Sequence, residues 1–113
     1  MSRLLIVIAL ALSLVSAEVG AERVFDLTIA HGELSGGPET IRVHQGDTVV
    51  LHWRSDRPAV AHLHGYDIET RIMPGTVAET RFEARATGRF PLHLHAGSGS
   101  SESMLVYLEV YPN

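Results

Sequence analysis

Four of the seven histidines in this chain of 113 residues fall in two short elements of one form, Ala61-His62-Leu63-His64-Gly65 and Leu92-His93-Leu94-His95-Ala96. Neutral imidazole is the commonest metal-ligating side chain. Two histidines two residues apart suit an ion when the backbone is extended, because a period of two sends both rings off one face. On that parity His62, His64, His93 and His95 point out, while Leu63 and Leu94 turn into a core. Imidazole-rich sites without thiolate accept Cu(II), Zn(II) or Ni(II), and the order of intrinsic affinity places copper first. Copper is the expected ligand, with zinc or nickel as alternatives. Solvated strand-end histidines without a metal are the competing reading, which one isolated histidine would favour and two His-x-His elements disfavour.

The remaining polar residues carry weaker signals. His31, His44 and His52 stand alone and read as surface or hydrogen-bonded side chains. Met104 reads equally as a core residue or as an axial, soft ligand, and Met73 before Pro74-Gly75 as loop packing or a mobile soft ligand. Asp67 and Glu69 follow the first element closely enough to orient an imidazole N–H, though exposed charge is the simpler reading. Tyr66 is expected either to pack over the site or to donate a hydrogen bond. No Ser, His and Asp constellation, phosphate loop or paired-carboxylate motif points to another enzyme class.

These residues must be held by a small domain. Arg3 followed by the apolar run from Leu4 to Val15 reads as a signal peptide over residues 1–21, cleaved after Ala17 or Ala21, with an uncleaved anchor as the alternative. The run is short for a bilayer span. Residues 22–113 then form one domain with one core, and with no cysteine it must hold by packing, helped at most by a metal. From Glu18 onward there are 8 arginines against 13 acidic residues, a formal charge of minus 5, which disfavours nucleic acid as a partner. The expected location is periplasmic or secreted. No membrane contact is expected once the signal is removed.

About seven strands are legible from alternation: Val24 to Ile29, Thr40 to Val43, Thr48 to Arg54, Ala59 to His64, Thr76 to Ala84, Phe90 to His95 and Met104 to Tyr111. Val49, Leu51 and Trp53 share a face, with Trp53 as core anchor. Phe90, Leu92 and Leu94 share another, and Met104, Val106, Leu108 and Val110 are expected inward. His31 to Pro38 and Gly97 to Ser103 read as loops, Tyr66 to Gly75 as mixed chain, and Gln45-Gly46-Asp47 as a tight turn. The pattern predicts an all-β, small antiparallel β-sandwich.

Gln45-Gly46-Asp47-Thr48-Val49, Gly88-Arg89-Phe90 and Met104-Leu105-Val106, in that order, resemble a cupredoxin, the Greek-key copper-binding sandwich, over the whole mature length. The likeness is nearer to the copper-site domain of multicopper oxidases. His62-Leu63-His64-Gly65 matches the end of that family's H-P-x-H-L-H-G, and Gly88 to His95 matches G-x-W-x-x-H-C-H apart from the tryptophan position, held by Phe90, and the cysteine position, held by Leu94. The family's blue-copper histidines fall on Ala59 and Gly99, and only Met104 keeps the axial position. The resemblance therefore implies a blue-copper centre that is lost and four outward histidines that remain. It implies an exported copper-binding protein acting in buffering, delivery or protection rather than as an enzyme, with a protein partner for copper transfer. The alternatives are a metal-free interaction or sensor module, and a copper oxidoreductase assembled between chains as an oligomer.

Overall fold

The computed structural model describes residues 20–96 and 102–113. The expected signal peptide, through residue 19, and the stretch 97–101 lie outside the described residues, as do the side chains of Ala96 and Met104. The elements are β1 (Glu22–Ala30), β2 (Glu33–Gly36), β3 (Thr40–His44), β4 (Thr48–Ser55), β5 (Ala59–Leu63), β6 (Ile68–Ile72), β7 (Ala78–Glu83), β8 (Gly88–Ala96) and β9 (Glu102–Tyr111). They form a four-stranded sheet in the order β2-β1-β4-β7 and a five-stranded sheet in the order β3-β9-β8-β5-β6.

Alternation explains most of this. Along β7, Thr80 and Phe82 are buried and Ala78 half-buried, while Glu79, Arg81 and Glu83 are exposed, so one side packs and the other is wet. Leu27 and Ile29 of β1, Val49, Leu51 and Trp53 of β4, Ile41 and Val43 of β3, and Leu108 and Val110 of β9 meet in one core. The β-sandwich agrees with the expectation in kind. It differs in detail: β1 runs parallel to β4 and β3 parallel to β9, so both sheets are mixed. Each parallel pair joins strands separated by other elements, since a tight turn cannot return a strand parallel to itself.

Two further strands are present. β2 lies in the segment expected as loop; it contains one half-buried apolar side chain, Leu34, and exists through pairing with β1. β6 lies in the mixed segment, where Ile68, Thr70 and Ile72 do alternate with the exposed Glu69 and Arg71. The Gln45-Gly46-Asp47 turn is present, with Gly46 at φ 94°. Buried Asp47 accepts the backbone N–H groups of Ala21 at 3.0 Å and His44 at 2.9 Å.

A polar link ties the sheets beside β6. The Trp53 indole Nε1–H, fully buried, donates to Thr80 Oγ1 at 2.9 Å. The Thr80 hydroxyl also meets the Thr70 hydroxyl of β6, in the opposite sheet. A buried indole N–H without an acceptor costs about 1–3 kcal/mol. Thr80→Val keeps the shape and removes the acceptor, so unfolding followed by Trp53 fluorescence should show a loss of about 1–3 kcal/mol. A change below about 0.5 kcal/mol would show that the link contributes no more than an ordinary surface contact.

Candidate metal centre

β5 and β8 pair antiparallel with Ala61 opposite Leu94, His62 opposite His93, and Leu63 opposite Leu92. Directly paired residues project to the same face, so this register alone sets His62 beside His93. Leu63, Leu92 and Leu94 are buried, at 2%, 2% and 1% exposure, and the four histidine side chains are only partly covered. The expected parity therefore holds. β5 ends one residue before the expected His64, yet the His64 N–H donates to Pro91 O at 3.1 Å and keeps that residue on the ladder. The His62 and His64 ring centroids are 4.1 Å apart, and those of His64 and His93 are 4.6 Å apart.

The turn after His64 is braced from below. Gly65 has φ 86°, and a Cβ there would lie 2.3 Å from Phe90 Cδ1. Only glycine fits both the backbone and the space. Tyr66 packs against Phe82 at 5.1 Å and Phe90 at 5.0 Å between centroids, and its hydroxyl donates to Ala86 O at 2.7 Å. Partial burial pushes the Tyr66 phenol above its ordinary value. Tyr66 gives its hydroxyl to Ala86 and its ring to Phe82 and Phe90, so it supports the turn from beneath. Asp67, at φ 56°, returns its carboxylate to 3.3 Å from His62 Nε2. Glu69 lies opposite His62 in the β5–β6 register.

A carboxylate from a segment expected to be loop completes the cluster. β9 begins at Glu102, so Glu102 and Ser103 belong to a strand; pairing with β8 overrides their loop-like composition. The β8–β9 register shifts by one residue, with Leu92 opposite Val106 but His93 opposite Met104. Leu105, the extra residue left unpaired there, is buried together with Val106. Past it, Glu102 lies opposite His95. Glu102 Oε1 stands 2.5 Å from His93 Nδ1, 3.0 Å from His64 Nε2 and 3.5 Å from His95 Nε2. Hydrogen bonds from His64 and then His93 hold the Glu102 carboxyl below the usual glutamate range, assisted by the charges of His93 and His95.

Two donors each about 2.0 Å from a tetrahedral ion stand about 3.3 Å apart. The 3.0 Å and 3.5 Å separations fit that requirement with little movement, whereas the 2.5 Å contact is a direct hydrogen bond that must lengthen before an ion enters. His62, His64 and Glu102 each offer a donor atom within 4.8 Å of the others. Oxygen and imidazole nitrogen both suit Cu(II) or Zn(II), so the residues fit the expected ion. Met104 has its backbone opposite His93. Ala59 and Leu94, on the blue-copper positions of the resemblance, are apolar and buried, and Gly99 lies outside the described residues.

The isolated histidines sit elsewhere. His31 is in the turn after β1, 3.8 Å from Asp56; His52 is on β4, 3.6 Å from Asp26; His44 ends β3 beside Tyr111. Met73 follows β6 and is 47% exposed.

No protein-family model matches the chain. No curated protein matches it either. Solved structures do. The periplasmic domain of subunit II of cytochrome oxidase from Bradyrhizobium japonicum aligns with a TM-score of 0.63 at 14% identity, over 80% of this chain and 84% of that one. A copper binding protein solved in its apo form by NMR gives 0.59 at 11% identity, over 80% and 89%. A chain of a heme-copper terminal oxidase dimer gives 0.65 at 18% identity over 80% of this chain, which spans only 65% of that one. The class defined by these likenesses and the sheet order is a cupredoxin-like β-sandwich.

Because the folded Glu102 value lies below the unfolded one, its pairing stabilises the fold above the ordinary glutamate range, and that contribution is lost as pH falls through the depressed value. An NMR titration of the Glu102 carboxyl carbon in metal-free protein should give a midpoint below that of ordinary glutamate, moving upward in His64→Ala. A midpoint indifferent to His64 would contradict the assigned contact.

Proposed function

We propose that this is an exported copper-binding protein that holds one ion between β5, β8 and the start of β9, for buffering, delivery or protection. The observation that carries the reading is the convergence of His64, His93 and His95 nitrogens on one Glu102 oxygen, within 2.5–3.5 Å. His62, His64, His93 and His95 serve as the imidazole set, Glu102 joins as an oxygen donor, and Met104 is proposed as an axial thioether. Asp67 orients His62.

The names of two structural neighbours support the same direction, one being a copper binding protein and one a periplasmic oxidase domain. A periplasmic or secreted location accords with the apolar start of the chain. A blue-copper centre needs a thiolate, and the chain has no cysteine. Buffering or transfer to a protein partner suits a site whose ligands are partly exposed and close to strand ends. A metal-free interaction or sensor module has one observation in its favour, since Glu102 already offers three imidazoles an acceptor.

Copper titration followed by calorimetry and thermal melting separates the two. The wild-type chain should take up one Cu(II), and an ion at a hundredfold excess over Kd should stabilise it by about 2.7 kcal/mol. Uptake should weaken as pH falls, because protons compete with the ion for its donors. His64→Ala/His93→Ala should abolish stoichiometric binding, and Glu102→Gln should weaken it about 10- to 100-fold. Unchanged stoichiometry in the double variant, or a melting temperature indifferent to copper in the wild type, would contradict the proposal.

A further inference from the structure

Next to the imidazole cluster lies an open depression of about 350 Å³, lined by the apolar side chains of Pro58, Val60 and Met73 and by Arg57, Arg71 and His95. Its position follows from strand register. Val60 of β5 stands opposite Arg71 of β6 on one side and His95 of β8 on the other, so the three side chains share the outer face. Arg71 and His95 are thus two strand spacings apart, about 10 Å between backbones, with an apolar floor between them.

The two guanidinium groups differ. Arg57 Nε lies 3.5 Å from Asp56 Oδ1, which partly neutralises it. Arg71 is exposed and makes no ion pair within 4.0 Å among the described residues. Met73 leaves about half of its surface, 47%, in water at the same place. A free guanidinium fork is matched to a carboxylate, which it binds through two parallel N–H donors. The neighbouring Val60, Pro58 and Met73 offer nothing to a bare inorganic anion and favour a ligand with a hydrocarbon body. The size is at the low end for small-molecule sites, which suits a short acid.

We infer that this depression is a binding site for a small organic monocarboxylate, with its carboxylate on Arg71 and its apolar body across Val60 and Met73 towards His95. The site requires no metal, so it stands or falls separately from the copper reading.

The test uses metal-free protein and three probes, hexanoate, hexanamide and inorganic phosphate, monitored by amide NMR shifts. Hexanoate should produce saturable shifts at Val60, Arg71 and His95. Hexanamide, lacking charge, and phosphate, lacking the apolar body, should each bind at least about tenfold more weakly. Arg71→Gln, a change at an exposed strand position, should weaken hexanoate by at least about tenfold while leaving the circular dichroism spectrum unchanged. Absence of saturable hexanoate shifts would overturn the inference. So would phosphate binding as tightly as hexanoate, or Arg71→Gln binding it as well as the wild type does. Copper uptake by the same samples reports on the neighbouring centre independently.

Discussion

Antiparallel pairing of β5 with β8 in the register that sets His62 against His93 is the constraint on which the candidate centre depends. Alternate residues of a strand face opposite ways, so this single register turns Leu63, Leu92 and Leu94 into the core and the histidines out of it. Burial of the leucines enforces the register, because a slip of one residue would exchange the two sets and place imidazoles in an apolar interior. Core packing and ligand placement are thus one requirement, met by the same few residues.

The β8–β9 bulge adds what parity alone would not. Leu105, left unpaired between Val106 and Met104, is the extra residue and is buried with Val106, and it resets which of the preceding side chains lie over β8. Glu102 thereby reaches three imidazoles through one oxygen. A carboxylate in that position gathers the rings around one oxygen. Gly65, Tyr66 and Phe90 hold the turn that returns Asp67 to His62, so each end of the cluster has a carboxylate partner.

Much of this was legible in the sequence. The period of two along Val49, Leu51 and Trp53, along Thr80 and Phe82, and across both His-x-His elements states which side packs; Val49, Leu51, Trp53, Phe82, Leu63, Leu92 and Leu94 all lie in the core, and Val50, on the other side of β4, is buried as well. β6 was legible in principle, since Ile68, Thr70 and Ile72 alternate, but Pro74-Gly75 and the charges between them obscured it. β2 was not, because a strand made by pairing with β1 needs no apolar pattern of its own. Glu102 was hidden for a similar reason. It follows a Gly- and Ser-rich stretch that reads as loop, and the bulge that aims it arises from pairing between strands, which no single-strand period encodes. A Glu seven residues after His95, just past that Gly- and Ser-rich stretch, was the one available signal.

The proposed centre requires imidazoles from β5 and β8 to surround a single point. X-ray absorption fine structure on the copper-loaded chain tests it most directly. The expected result is a first shell of nitrogen and oxygen at about 2.0 Å containing at least three imidazoles, identified by their outer-shell scattering. A first shell with at most one imidazole, or one dominated by sulfur, would contradict it.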